Sequence, residues 1–188
     1  MARGRSVARL TTLVLGGMLI GCSRSPSTGQ PGPTDVELQV AATALSDFVG
    51  EPDSLGELRL VKSLQARTAA FPDSAAWTAA IGDLVPGRDR HPTLIASYWR
   101  ANRHARPLPD TLRVPGWRVR LVDIPTNDPQ HVGTVYYVSR VGFTPDRDSA
   151  LVAVDGLCGQ LCGRGVLVLY VRTLGAWRLA STLQSLQY

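Results

Sequence analysis

Residues 134–183 read TVYYVSRVGFTPDRDSALVAVDGLCGQLCGRGVLVLYVRTLGAWRLASTL, and this stretch decides the fold class. Its runs of β-branched and aromatic residues lie at 134–143, 150–154, 166–172 and 176–183. Turn residues separate these runs: Pro145 with Asp146, the glycines between 156 and 165, and Gly175. Such a pattern predicts consecutive β-strands. The connections are too short for helical crossovers, so antiparallel pairing is expected.

Upstream of this stretch the hydrophobic pattern is mainly helical. Capping-box spacing from Thr34 to Glu37 predicts the start of a helix, which Gly50 ends. Apolar residues at helical spacing predict further helices over 73–85 and from Pro92 to about residue 103. The runs at 58–63 and 117–124 are strand candidates.

The order of these elements, helices first and strands last, predicts an α+β domain. We expect N-terminal helices packed on a C-terminal antiparallel β-meander of about five strands. By analogy alone, helices against one concave sheet resemble the cystatin-like or NTF2-like arrangement.

The N-terminus has the pattern of a secretory signal. Residues 1–9 are basic, and the uncharged run at 10–20 (LTTLVLGGMLI) follows. As a helix this run would reach ~16 Å, about half of a bilayer's hydrocarbon core, so it is too short for a permanent span.

The residues that follow, Leu19-Ile20-Gly21-Cys22, resemble the lipobox of bacterial lipoproteins. The resemblance implies cleavage before Cys22 and acylation of its thiol, so the lipid bilayer of the cell envelope becomes a partner. Two or three acyl chains, at ~0.8 kcal/mol per buried CH₂, anchor a protein firmly. Ser23, by the same resemblance, points to the outer membrane.

These observations divide the chain into three parts. Residues 1–21 are the predicted signal peptide, and residues 22–34 are the lipid anchor and a disordered tether. The segment 23–34 (SRSPSTGQPGPT) contains no large apolar side chain, so it buries too little to order itself. Residues 35–188 form a single predicted domain, long enough for a real core but short for two.

The charge of the chain does not indicate nucleic-acid binding. Its formal net charge is +5, but three of the basic residues, Arg3, Arg5 and Arg9, lie in the predicted signal peptide. Without them 17 basic residues stand against 15 acidic ones. The remaining arginines are spread along the chain without a patch, so no nucleic-acid partner is expected.

Cys158 and Cys162 are expected to form a disulfide. The envelope outside the cytoplasm is oxidising, and with Cys22 acylated two cysteines remain. A structural zinc site needs four ligands, and His91, His104 and His131 lack paired spacing, so no metal and no cofactor is expected. A redox-active pair is the alternative, but three residues lie between the cysteines, where the usual redox motif has two.

The C-terminal half also resembles a family of uncharacterised secreted bacterial proteins. The shared motifs are Ser139-Arg140-Val141-Gly142-Phe143, the loop 158–165 with its pattern C-G-x-L-C-G-x-G, and Gly175 with Trp177. The helix with Trp99 and Asn102 is similar as well. The resemblance implies a shared fold and supplies no activity.

Arg140, with the neighbouring Ser139, is the candidate binding position. A charge inside an otherwise apolar strand either clamps an anion or pairs with a cross-strand carboxylate such as Asp155 or Asp123, and pairing is the more common case. Gly142 predicts a bulge or a close backbone approach.

Three functions are compatible with these residues. We expect a non-catalytic lipoprotein that acts as a binding or envelope-assembly module, with an envelope protein as a possible partner. An envelope hydrolase with a cleft around Arg140, His131 and Asp155 is the first alternative, although no nucleophile elbow or phosphate loop occurs. A thiol–disulfide protein that uses Cys158 and Cys162 is the second.

Overall fold

A computed structural model describes residues 34–51, 56–64, 75–76, 92–123, 133–158 and 162–187 of this 188-residue chain. The predicted signal peptide, the anchor at Cys22 and the tether up to residue 33 lie outside the described residues. So do His91, His131 and most of the helix predicted over 73–85, although Ala75 and Ala76 are helical.

Helix α1 (Asp35–Val49) begins and ends where the sequence predicts. The Thr34 hydroxyl accepts a hydrogen bond from the Glu37 backbone N–H at 3.2 Å, which satisfies one of the free donors of the first turn. At the other end Gly50 has φ +80°, and its N–H donates to the Ser46 carbonyl. The helix buries one face, formed by Glu37, Val40, Ala41, Ala44 and Leu45.

Helix α2 (Pro92–Ala101) begins at a proline, which suits the first turn because that turn's N–H groups have no intrahelical partner. It buries Leu94, Ile95 and Tyr98 at helical spacing, as the sequence predicts. Among the described residues no helix is long and apolar enough to cross a bilayer.

The strands, in chain order, are β1 (Glu57–Val61), β2 (Ser63–Leu64), β3 (Arg106–Pro107), β4 (Arg118–Val122), β5 (Val135–Val138), β6 (Gly142–Phe143), β7 (Ser149–Leu157), β8 (Gly163–Thr173) and β9 (Ala176–Gln187). Seven of them form one sheet in the order β4-β1-β5-β7-β8-β9, with β6 paired to β7 beyond the end of β5. The short β2 and β3 pair separately. With its two helices the described part is an α+β fold, as predicted.

The sheet is mixed, and this differs from the expected all-antiparallel meander. Strands β5, β7, β8 and β9 pair antiparallel as expected. However, β1 lies between β4 and β5 and is parallel to both. The connection from β1 to β4 contains α2 and is long enough for the crossover that parallel pairing requires.

The two helices cover opposite faces of the sheet. Paired residues of antiparallel strands share a face, so Val152 and Val168 lie on one side of β7–β8, and Leu151 and Leu169 on the other. The first pair belongs to the core cluster that includes α1, and the second to the cluster that includes α2. The cystatin-like or NTF2-like analogy, with helices on one face, is therefore not confirmed.

Candidate functional site

Arg140 lies where the chain leaves β5 and enters β6. Val138 pairs with Val154, and Gly142 pairs with Leu151. Three residues, 139–141, therefore stand opposite two residues of β7, which makes an irregularity of the bulge type. A bulge interrupts the alternation of side chains between the two faces of a strand. The Arg140 side chain therefore does not follow the alternation of β5.

The Arg140 guanidinium binds groups from both helices. Its Nε donates to Glu37 Oε1 in α1 at 3.1 Å, and its Nη1 donates to the Ala101 carbonyl at the end of α2 at 3.1 Å. The pair has little access to water, since the side chains of Arg140 and Glu37 are 14% and 4% exposed.

The predicted cross-strand partners of Arg140 are therefore wrong. The observed carboxylate comes from helix α1, 103 residues earlier in the chain. Asp123 instead forms an ion pair with Lys62 at the surface. Because β-sheet patterning describes only neighbouring strands, it could not identify a partner on a helix.

Glu37 also holds the bulge directly. Its Oε1 accepts a hydrogen bond from the Val141 N–H at 3.2 Å. The carboxylate lies in the first turn of α1, and the guanidinium lies at the last turn of α2. Each charge is therefore next to the helix end whose dipole it complements.

Asn102 and Ser139 complete the same network. Asn102 Oδ1 accepts from the Arg140 N–H, and its Nδ2 donates to the Arg140 carbonyl, both at 2.9 Å. Ser139 Oγ accepts from the Ala153 N–H at 2.8 Å and donates to the Arg140 carbonyl at 2.9 Å. We call Glu37, Asn102, Ser139 and Arg140 the bulge network. Three of its members are fully buried, and internal hydrogen bonds satisfy them.

The sequence indicates Ser139, Arg140 and the helix with Asn102, but not Glu37, as members of this network. A signal for Glu37 exists, since the residue lies on the apolar face of α1 together with Val40 and Ala41. A carboxylate on a buried face requires a partner. Its position in a capping box concealed this, because there it was expected to serve its own helix.

Close contacts explain why two positions of the C-terminal motif are glycine. Gly142 touches helix α2, and a Cβ at this position would overlap the Tyr98 backbone, so the predicted close approach is confirmed. A Cβ at Gly165 would overlap the carboxylate of Asp155, which is buried. These positions of the C-terminal motif maintain packing.

The hydrolase cleft predicted around Arg140, Asp155 and His131 stays a prediction. Asp155 pairs with Gly165 and Tyr137 in the sheet, on the face that α2 covers, whereas the hydrogen bonds of the Arg140 guanidinium lead to Glu37 and Ala101. His131 lies outside the described residues. Among the described residues no three His, Cys, Asp or Glu side chains form a cluster that could hold a metal ion.

Cys158 and Cys162 face each other across the connection between β7 and β8. Their Cα atoms are 5.3 Å apart and their sulfurs lie at disulfide distance. The Cys158 N–H also donates to the Cys162 carbonyl at 3.0 Å. Both residues are exposed, so the pair is open to solvent at one end of the sheet.

The clefts lined by described residues include a larger and a smaller one. The larger, about 830 Å³, lies beyond the carboxyl ends of β1 and β4 and includes Lys62, Arg106 and Asp123. The smaller, about 280 Å³, lies between α1 and the strands β8 and β9 and includes Phe48 and Leu179.

Comparison of the chain with protein-family models, with curated proteins and with solved structures finds no match. The lipobox and the resemblance of the C-terminal motif to secreted bacterial proteins therefore stay predictions from the sequence.

Proposed function

We propose that this chain is a bacterial envelope lipoprotein, held at the membrane through an acylated Cys22, whose α+β domain is a non-catalytic binding or assembly module. The observation that carries the non-catalytic part is the bulge network. Arg140 is the cation most suited to clamp a substrate anion, and it already binds the carboxylate of Glu37. The motif residues thus serve the fold.

The anchoring part rests on the sequence. A basic segment, a short apolar run and Leu19-Ile20-Gly21-Cys22 occur in the order that lipoprotein export requires. The tether behind Cys22 has at most ~40 Å of reach when fully extended, enough to hold a domain clear of the lipid headgroups. Ser23 favours the outer membrane as the destination.

Metabolic labelling with palmitate, followed by membrane fractionation, tests the anchor. We expect the wild-type chain to be labelled and to sediment with membranes, and Cys22→Ala to lose both properties. The double variant Cys158→Ser/Cys162→Ser is the matched control and should keep the label. An intact mass equal to the unmodified polypeptide beginning with Met1 would refute the proposal.

A thiol–disulfide function is the second candidate, because Cys158 and Cys162 are exposed and at disulfide distance. An exposed pair is what exchange with another protein requires. Insulin reduction by the wild-type chain, lost in Cys158→Ser without a change in melting temperature, would favour this candidate over the non-catalytic module.

A further inference from the structure

Among the described residues, strand β9 is paired on one side alone. It is the last strand of the sheet, and within the described residues its outer side pairs with no other strand. Leu174 and Gly175 connect it to β8 with φ values of +52° and +83°, as in a type I′ turn. This turn makes Thr173 and Ala176 the first hydrogen-bonded pair, so the backbone groups of Trp177 and Leu179 face outward.

The first four residues of β9, 176–179, give this edge little protection. Natural edge strands are commonly blunted by charged residues, proline or bulges. In β9 (AWRLASTLQSLQ) Arg178 is the one charged residue, and there is no proline. Its pairing with β8 shifts register at Ala180 and at Leu183. These shifts limit the length of regular edge, which suits a short added segment better than a long strand.

A groove lies close to this edge, between α1 and the last two strands, β8 and β9. It has a volume of about 280 Å³ and apolar walls from Phe48, Val166, Val168 and Leu179. Leu179 is 49% exposed, one of two large apolar side chains in the described residues with such exposure. We call this cavity the α1–β9 groove.

The polar residues of the groove already have partners on the domain. The Tyr170 hydroxyl donates to Asp47 Oδ2 at 2.7 Å. Arg164 stacks on Phe48, with its Cζ 4.5 Å from the ring centroid, and donates to the Phe48 carbonyl at 2.8 Å. The space between these groups is therefore suited to apolar side chains.

We propose that β9 binds a short extended segment of a partner protein as an additional strand. Alternate apolar side chains of this segment fill the α1–β9 groove, and its acidic side chains lie on the opposite face. This inference rests on the proposed binding role of the domain. The hydrogen bonds come from the outward backbone groups of Trp177 and Leu179, as in other cases of strand addition.

Charge decides which partner fits. Arg178 pairs with Val171, so it lies on the face opposite the groove, where it is exposed. Arg172 and Arg164, toward the two ends of the hairpin, lie instead on the groove face, where they stack on Trp177 and Phe48. The one carboxylate in the groove, Asp47, already accepts from Tyr170. A segment with carboxylates meets opposite charge here, whereas a second copy of β9 brings Arg178 and no acid.

Peptide binding tests the proposal. The probe is a fluorescein-labelled heptapeptide, Glu-Val-Glu-Leu-Glu-Val-Glu, titrated with the full-length chain in detergent micelles and followed by fluorescence anisotropy. The matched probe has lysine in place of each glutamate. We expect the acidic peptide to bind at least about tenfold more tightly than the basic one, since like charges at an interface select against a partner.

Two variants locate the binding surface. Leu179→Pro removes an N–H that faces away from β8, so the hairpin keeps its hydrogen bonds and the peptide loses one. Arg178→Glu reverses the charge. Each should weaken binding of the acidic peptide about tenfold, which is the loss expected from one charge-assisted or one to two neutral hydrogen bonds. Arg118→Glu, in the opposite edge strand β4, is the matched control and should change it less than about twofold.

Circular dichroism spectra and melting curves show that each variant is folded. Absence of acidic-peptide binding by the wild-type chain, or equal binding by all the variants, overturns the proposal. If light scattering shows a dimer of the wild-type chain that Leu179→Pro dissociates, the edge binds a second copy of this chain. This result also overturns the proposal. Since the assay needs no acyl chain, its failure leaves the Cys22 labelling result standing.

Discussion

At the scale of single residues, Glu37 and Arg140 form a buried ion pair. Water screens such a pair poorly, and desolvation of the two charges offsets much of their attraction. Its contribution is therefore seen best when one partner is removed. Arg140 would then be left with a buried charge and the Val141 N–H without its acceptor.

Replacement of Glu37 tests this account. We expect Glu37→Ala to lower the free energy of unfolding by about 3 kcal/mol, as is typical when one member of a buried pair is removed. Urea denaturation followed by tryptophan fluorescence measures the change.

Glu57→Ala is the matched control for this variant. Glu57 pairs with Arg120 at 3.7 Å on the surface, where its removal should cost less than about 1 kcal/mol. Equal losses in the two variants would show that the bulge network does not depend on the buried carboxylate.

Residue roles were predictable from the sequence only in part. A charge within an apolar strand identified Arg140, and a glycine within a strand identified the close approach at Gly142. The partner of Arg140 was not predictable, because Glu37 is remote in the chain and its local pattern indicated a helix cap. Local patterns report on local bonds, and this ion pair is a tertiary one.

At the scale of elements, the β8–β9 hairpin contains an unfavourable turn residue. Leu174 has φ +52° and is fully exposed. A side chain with Cβ is strained in this left-handed region, and leucine gains no compensating hydrogen bond there. Asparagine is the residue preferred at this position of a type I′ turn.

Leu174→Asn should therefore stabilise the protein. We expect the free energy of unfolding to rise by about 1 kcal/mol, the order of the penalty for a non-glycine residue in the left-handed region. The melting temperature checks this. Leu179→Asn, which changes an exposed leucine within a regular strand, should give no such gain, and a similar rise in that variant would contradict the turn argument.

The positions of the elements were largely predictable from the sequence. Thr34 and Gly50 mark the ends of α1 as expected, Pro92 marks the start of α2, and the strand runs become β4 to β9. Capping, periodicity and turn residues act within a few residues of the chain. One expected strand, 134–143, is divided into β5 and β6, because the bulge network redirects the backbone at 139–141.

At the scale of the whole molecule, α1 is linked to the far strands of the sheet through Tyr170. Its hydroxyl is buried and donates to Asp47 near the end of α1. The pKa of Tyr170 is raised well above its usual value of about 10, mainly because the hydroxyl is buried. The hydrogen bond to Asp47 and the charge of that carboxylate raise it further.

This shift predicts a loss of stability at alkaline pH. Below pH 10 tyrosine is protonated in both the folded and the unfolded chain, so the full contribution is present. Above pH 10 the unfolded chain releases the proton and the folded chain retains it, so stability falls as pH rises toward the folded-state pKa. At pH 11 the expected loss from this group is at most about 1.4 kcal/mol.

Denaturation at pH 8 and pH 11 measures this loss. Tyr170→Phe has no such proton, so it should lose less free energy of unfolding between these two pH values than the wild type does. At pH 8 the variant should be less stable by about 1 kcal/mol, because it lacks the hydrogen bond to Asp47. An identical alkaline loss in both proteins would refute the role of Tyr170.

The sequence by itself determined the α+β class, the positions of most elements and the closeness of Cys158 and Cys162. The anchor at Cys22 stays a prediction. These follow from short-range rules: periodicity, caps, turns and the spacing of a few residues. Tertiary structure alone decided that β1 inserts in parallel between β4 and β5, that the helices cover opposite faces, and that Arg140 binds Glu37. Each of these features depends on contacts between residues far apart in the chain. A local sequence pattern cannot predict the free energy of such contacts.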